Sequence, residues 1–122
     1  MFVLVVAGGR SFGGSPAERA LVWRSLDVVL RQRGPLVLWH GGCRGADACA
    51  AAWAAARGVP VRVWPADWAR FGRAAGPLRS RAMLAAAAAS GRCGLVAFPG
   101  GSGTSAAVAA ARSLGVGVWL RG

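Results

Sequence analysis

A glycine-rich turn between a predicted strand and a predicted helix carries the most distinctive chemistry of this sequence. Residues 95–98 are apolar and predict a buried strand, and an alanine-rich helical pattern starts near residue 105. The turn between them consists of Pro99, Gly100, Gly101, Ser102, Gly103 and Thr104. Glycines let the backbone approach a ligand without a side-chain clash, and the free N–H groups at a helix start attract anions. We expect this turn to bind phosphate, because strand, glycine turn and helix follow in the required order.

Two further glycine turns also follow apolar, strand-like runs. The first contains Gly8, Gly9 and Arg10, and the arginine suits bidentate contact with a phosphate. The second lies within residues 40–47, and its candidate residues are His40, Gly41, Gly42, Arg44, Gly45 and Asp47. We expect both turns to contact the ligand.

The charged and titratable residues of segment 40–47 admit two interpretations. In the functional one, Asp47 accepts a hydrogen bond from a ribose hydroxyl while Arg44 steadies a phosphate or Asp47 itself. In the structural one, Asp47 is an acid in a first helical turn with an ion pair nearby. His40 is either a proton donor and acceptor at the strand end or a hydrogen-bonded structural histidine.

Residues 65–76 form the longest stretch without a regular pattern, and it holds an acid and two aromatics. Asp67 is either a general base or a cap of a loop or helix. Trp68 and Phe71 are expected to stack on a base, because long loops in small domains are often functional. Arg79 follows at the start of the helix predicted over residues 77–89, where a cation is unfavourable without an anion nearby. We therefore expect Arg79 to contact the ligand.

The composition indicates a single folded domain. The chain has 122 residues, of which 55% are hydrophobic, and no apolar run is long enough to cross a bilayer. The N-terminal residues resemble a strand more than a signal peptide, so we expect a cytoplasmic location. Cys43, Cys49 and Cys93 lack the C-x-x-C spacing, which favours free thiols over a zinc site that would use them with His40. We expect no metal site and no bound cofactor.

The net charge of +11 predicts attraction to phosphorylated ligands or polyanions. All 15 basic residues are arginines, and they are spread along the chain without a dense tract. The absence of lysine excludes Schiff-base chemistry and the lysine of a Walker-type loop.

The order of apolar runs and helical patterns predicts an α/β fold. The expected strands are residues 2–7, 36–39, 59–64, 95–98 and 116–120, with helices over residues 16–33, 46–57, 77–89 and 105–114. The third strand contains Pro60 and the fifth contains Gly117, and both features suit a sheet edge. We predict a Rossmann-like three-layer α/β/α domain spanning residues 1–122, with a five-stranded parallel sheet in the order 3-2-1-4-5. Its ligand site is expected between the carboxyl ends of strands 1 and 4.

Five short motifs occur in order along nearly the whole chain: A-G-G-R-S-F, H-G-G-C-R-G-A-D, P-A-D-W, A-G-P-L-R and F-P-G-G-S-G-T. As an ordered set they resemble the YspA-type branch of the SLOG superfamily. That superfamily of compact Rossmann-like proteins also holds the Lonely Guy phosphoribohydrolases and the Rossmann domain of DprA. The resemblance implies that the glycine loops bind a nucleotide or a nucleotide-derived ligand.

The resemblance to the Lonely Guy enzymes also concerns two catalytic positions. Their catalytic arginine lies four residues before a methionine, and Arg79 before Met83 matches this pattern. Their glutamate ends the motif P-G-G-x-G-T-x-x-E, where this chain has Ala107. The resemblance thus implies a fold and a ligand class more than a reaction, and Asp47 or Asp67 would have to supply the carboxylate for hydrolysis.

The leading hypothesis is a module that binds a nucleotide or phosphoribosyl compound in the crevice between strands 1 and 4, as a sensor or carrier. One alternative is a phosphoribohydrolase that cleaves the N-glycosidic bond of a nucleoside monophosphate. Another is single-stranded nucleic-acid binding through the positive charge and the exposed aromatics. No membrane association is expected, and the small faces of the alanine-rich helices suit a homodimer.

Overall fold

Strands and helices alternate along the chain. In this computed structural model, which describes all 122 residues, the strands are β1 (Phe2–Ala7), β2 (Leu36–His40), β3 (Val61–Val63), β4 (Cys93–Ala97) and β5 (Gly117–Leu120). The helices are α1 (Pro16–Arg33), α2 (Ala46–Arg57), α3 (Trp68–Phe71), α4 (Ala75–Ala89) and α5 (Ser102–Ser113). The strands form one parallel sheet in the order β3-β2-β1-β4-β5. The predicted fold class and strand order are confirmed.

The central strand β1 is apolar because both of its faces are covered. Phe2, Leu4 and Val6 pack into one core with residues of α1 and α2, whereas Val3 and Val5 pack into a second core with residues of α4 and α5. Successive side chains of a strand point to opposite faces of the sheet. Helices therefore lie on both sides, and the domain has three layers.

Helix α1 begins with the predicted capping box. The Ser15 Oγ accepts a hydrogen bond from the Glu18 amide at 3.1 Å, and the Glu18 carboxylate accepts one from the Ser15 amide at 3.2 Å. Pro16 is the first helical residue, where its missing N–H is not needed. The helix ends at Gly34, as predicted, so its position is encoded locally.

Helices α4 and α5 begin earlier than the sequence pattern predicts. The stretch 65–76 was expected to be irregular, but it contains α3, a short 3-10 helix (Gly72–Ala74) and the start of α4. A proline such as Pro77 fits inside a first turn, because the N–H groups there have no acceptor within the helix. The early start of α5 places Ser102, Gly103 and Thr104 in its first turn. Because glycine has a low helix propensity, the sequence around Gly103 does not predict this early start.

Strand β3 is shorter than predicted, and it lies at the sheet edge as expected. Pro60 has no N–H to donate to the ladder, although its carbonyl accepts a hydrogen bond from the Leu38 amide at 2.9 Å. The three residues of β3 are exposed.

The side chains form neither cross-links nor a metal cluster. Cys43, Cys49 and Cys93 are free thiols, as their spacing predicts. No group of three or more His, Cys, Asp or Glu side chains is arranged to hold a metal ion. No helix combines the length and the apolar character that a membrane span requires.

Candidate functional site

A cleft of about 570 Å³ opens at the carboxyl ends of the central strands, against α4 and α5. Its lining includes the end of β1 and the start of α5, the helix that follows β4. The strand order reverses between β1 and β4, and such a reversal is the usual ligand position in these sheets. The structure gathers eleven of the candidate residues in its lining: Gly8, Gly9, Arg10, Gly41, Asp47, Trp68, Arg79, Gly101, Ser102, Gly103 and Thr104.

Other candidate residues lie outside this lining. They are His40, Gly42, Arg44, Gly45, Asp67, Pro99 and Gly100. The Asp67 carboxylate caps α3 by accepting a hydrogen bond from the Arg70 amide at 3.1 Å. This geometry matches the structural interpretation of Asp67 rather than a general base facing the cleft.

Several lining residues were not assigned to the site from sequence. On α4 they are Gly76, Pro77, Ser80 and Met83, and elsewhere they include Cys43, Arg73, Ala106 and Ala107. Gly76, Ser80 and Met83 are spaced as one face of a helix, and this spacing is the signal that could have found them. The buried Ala107 occupies the position of the Lonely Guy glutamate, so this wall of the cleft carries a methyl group instead of a carboxylate.

The start of α5 provides the clearest anion seat in the cleft. Gly101 is the N-cap, so no side chain caps the helix, and the first turn contains no acid. The amides of Ser102, Gly103 and Thr104 have no acceptor within the helix. All three residues line the cleft, and the helix dipole adds positive potential there.

Backbone contact between two glycine turns holds this seat in place. The Gly9 amide donates to the Pro99 carbonyl at 2.9 Å. A Cβ on Gly9 would lie 2.9 Å from that same oxygen, and one on Gly100 would lie 2.7 Å from the Gly9 amide nitrogen. Gly100 and Pro99 therefore contribute to the packing of the turn and do not line the cleft.

The turn after β2 satisfies its own amides. The Asp47 Oδ2 accepts hydrogen bonds from the amides of Gly41 at 3.0 Å and Cys43 at 3.2 Å. The Gly42 amide donates to the His40 Nδ1 at 2.9 Å. These three amides therefore already have acceptors within the turn.

Burial controls the protonation of the two side chains that hold this turn. Burial raises the pKa of Asp47 against the opposing effects of the Cys43 and Gly41 amides and of neighbouring His40 and Arg79. Burial also lowers the pKa of His40, and Arg79 lowers it further while Asp47 opposes the change. His40 is thus neutral near pH 7, and because its Nδ1 accepts a hydrogen bond, we assign the proton to Nε2.

Arg79 fastens two strand ends to α4. Its Nη1 donates to the carbonyl of Gly41 at 2.7 Å and to that of Trp64 at 3.1 Å. Its Nη2 lies 3.9 Å from the Cys43 Sγ. A Cβ on Gly41 would overlap the guanidinium, so glycine is needed for this contact. The charge of Arg79 is met by two carbonyls, which gives it a structural role beside its position in the cleft wall.

Arginine and aromatic side chains meet at the mouth of the cleft. The Arg10 guanidinium lies 5.4 Å from the ring centroid of Trp68, and Arg70 lies 4.9 Å from that of Phe71. Trp68 is 48% exposed and lines the cleft, whereas Phe71 is 42% exposed and does not. Arg73 also lines the cleft. The mouth therefore combines positive charge with a flat aromatic surface.

All four carboxylates have partners within the protein. Glu18 belongs to the capping box, and Asp67 caps α3. Asp27 accepts hydrogen bonds from Trp53 at 2.8 Å and from Arg57 at 2.9 Å. Arg57 is the single arginine among 15 that forms a salt bridge. Asp47 is the one carboxylate in the cleft, which otherwise presents Arg10, Arg73 and Arg79.

Comparison with known proteins assigns the family. The profile described as "YspA, cpYpsA-related SLOG family" matches residues 2–71, and no curated protein matches the chain. The X-ray structure of TM1055, a structural genomics target, superposes with a TM-score of 0.73 over 97% of this chain and 72% of that chain. At 19% identity, this similarity shows a shared fold. Because the family match spans more than half of the chain, from β1 through α3, the protein belongs to the YspA, cpYpsA-related SLOG family.

Proposed function

We propose that this protein binds a nucleotide or a phosphoribosyl compound in the cleft, as a sensor or binding module. The observation that carries the proposal is the uncapped start of α5: residues 102–104 of its first turn line the cleft, and their amides have no acceptor within the helix. Membership of the SLOG family points to a nucleotide-related ligand.

Each part of the cleft suits one part of such a ligand. The phosphate lies against the amides at the start of α5, where Gly8 and Gly9 leave room for it. Arg10 and Arg73 supply positive charge at the mouth, where no carboxylate neutralises them. The exposed ring of Trp68 stacks on the base.

Replacing Gly101 tests the phosphate seat. The position has φ −93°, and nothing lies within 4 Å of an added Cβ, so side chains fit there. In Gly101→Asp, the new carboxylate caps the amides and repels phosphate. We expect at least an about tenfold loss of nucleoside monophosphate affinity by calorimetry, whereas the Gly101→Ala control binds within about threefold of the parent. Binding that is equally strong in the parent and the Asp variant would contradict the proposal.

A second candidate function is binding of single-stranded nucleic acid. The observation that favours it is the pairing of two exposed aromatic residues of α3 with arginines: Trp68 with Arg10 in the cleft lining, and Phe71 with Arg70 beside it. It predicts that a short oligonucleotide binds with a steep salt dependence and that Trp68→Ala with Phe71→Ala removes this binding. Tight binding of mononucleotides with little salt dependence would instead favour the small-ligand site.

A further inference from the structure

Only one oxygen of the Asp47 carboxylate accepts hydrogen bonds from the protein. Its Oδ2 accepts two backbone amides, while no protein group donates a hydrogen bond to its Oδ1. The residue is only 6% exposed, and it lines the cleft. The Oδ1 atom keeps some solvent contact, because Trp64 Nε1 is the one fully buried polar side-chain atom without a partner. Oδ1 is therefore an accessible acceptor, suited to a donor group on a ligand.

Ser80 offers the complementary group on the same cleft. It is 8% exposed and lines the cleft, and its Oγ accepts a 3.4 Å contact from the Arg79 Nε. Its hydroxyl proton has no acceptor in the protein. Ser90 and Ser113, by contrast, donate to carbonyls three residues back at 2.6 Å and 3.0 Å. The Ser80 hydroxyl is thus a free donor, unlike those two serines at helix ends.

Arg79 links these two side chains. Its Nε contacts Ser80, and its Nη1 donates to the Gly41 carbonyl. The Gly41 amide in turn donates to Asp47. Ser80 is therefore bound to Arg79 directly and Asp47 is linked to it through the backbone of Gly41, and all three side chains line the same cleft.

We propose that Asp47 and Ser80 form a hydroxyl-binding subsite that selects ligands with a vicinal diol, and therefore ribonucleotides over 2′-deoxyribonucleotides. Asp47 Oδ1 accepts a hydrogen bond from one hydroxyl, and the Ser80 hydroxyl donates a hydrogen bond to the oxygen of the other. A phosphate would be repelled by the carboxylate, and an apolar group would leave both side chains without partners. The inference rests on the proposed function, because it requires the phosphate to lie at the start of α5.

The test compares the four ribonucleoside monophosphates with their 2′-deoxy and 3′-deoxy counterparts by calorimetry. We expect the parent protein to bind the best ribonucleotide at least about tenfold more tightly than either deoxy form, since a site built to bond a hydroxyl rejects the analogue that lacks it. Ser80→Ala should reduce this ratio at least about threefold. Ser90→Ala, a helix-end serine outside the cleft, should leave it unchanged.

The Asp47→Asn variant provides a second test of the ratio between ribonucleotide and deoxyribonucleotide affinity. The Asn carbonyl can still accept the two loop amides, while its NH₂ group replaces the free acceptor, so the ratio should fall towards one. Equal affinity of the parent for the ribo and deoxy forms, with binding still lost in Gly101→Asp, would overturn the diol subsite alone. Absence of binding by every nucleotide would overturn both the subsite and the proposed function.

Discussion

The turns after β2 and β4 are both rich in glycine and both lead into helices, yet they differ in what satisfies their amides. In the turn after β2, Asp47 and His40 accept the amides of residues 41–43. In the turn after β4, no side chain caps α5, and residues 102–104, whose amides have no acceptor within the helix, line the cleft. Glycine spacing thus predicts the shape of a turn. Whether the amides of that turn can bind an anion depends on whether the chain already supplies acceptors for them.

The difference comes from one residue in the first helical turn. Asp47 lies in the first turn of α2 and reaches back over the preceding loop, whereas the first turn of α5 contains no acid. A carboxylate near a helix start is stabilised by the same dipole and amides that attract phosphate. Asp47 therefore satisfies amides of the loop that precedes α2, as we propose a ligand phosphate does for the first-turn amides of α5. Neither helix has a side-chain cap at its own N-cap residue.

The largest predicted loss of stability comes from substituting Gly45 in the turn between β2 and α2. Gly45 and Gly58 have φ of 75° and 68°. A Cβ on Gly45 would overlap the carbonyl oxygen of Gly9, whereas one on Gly58 meets nothing. We expect Gly58→Ala to cost about 1 kcal/mol and Gly45→Ala more than about 3 kcal/mol, because only the latter adds a clash to the backbone strain. Urea unfolding followed by tryptophan fluorescence measures both, and equal costs would contradict the packing of the β1 and β2 turns.

The next largest loss of stability comes from removing the Asp47 carboxylate, which accepts hydrogen bonds from the amides of the β2 turn. Asp47→Ala leaves two amides of the β2 turn without a partner, which should lower the free energy of unfolding by about 2–4 kcal/mol. Asp67→Ala, which removes an exposed cap, should cost only about 0.5–1 kcal/mol. Similar losses in the two variants would show that the buried carboxylate does not hold the loop.

The pH dependence of stability also distinguishes the two turns, because the turn after β2 contains titratable groups and the turn after β4 contains none. Burial lowers the pKa of His40 below its ordinary value of 6.5, so the unfolded chain takes up this proton first and stability falls as the pH drops below 6.5. The slope should approach, at most, about 1.4 kcal/mol per pH unit. The raised pKa of Asp47 acts in the opposite sense, since its protonation favours the folded state. Asp47→Asn removes that contribution and should steepen the loss.

The matched variant is His40→Asn, whose side-chain oxygen can accept the Gly42 amide without titrating. We expect its stability to change less than that of the parent between pH 6.5 and pH 5, as measured by urea unfolding at each pH. Identical slopes in the two proteins would contradict the assignment of a neutral, structural His40.

The smallest effect concerns the stability of α5. Gly101→Asn adds a cap to the open amides without adding charge, and it should stabilise the protein by a few tenths of a kcal/mol. Thermal unfolding measures this gain. A clear loss of stability would show that position 101 cannot accept a side chain, and it would remove the basis of the Gly101→Asp test.

The sequence predicts the fold well because the fold depends on local signals. The apolar strands, the capping box at Ser15 and the edge features at Pro60 are each contained in a few neighbouring residues. The site depends instead on distant partners. Arg79 donates to carbonyls 38 and 15 residues away, and no sequence pattern reveals those acceptors. The division of the Asp47 carboxylate between the loop and the cleft is likewise visible only in three dimensions.

A nucleotide titration followed by nitrogen–proton correlation NMR shows which glycine turn binds the phosphate. AMP, the other three nucleoside monophosphates and inorganic phosphate are the probes. We predict saturable shifts of the Ser102, Gly103 and Thr104 amides at the lowest ligand concentrations, with the Gly41 and Cys43 amides, which are bonded to Asp47, shifting least among the glycine turns. The opposite pattern, in which the β2 turn responds and the amides at the start of α5 do not shift, would contradict phosphate binding at α5.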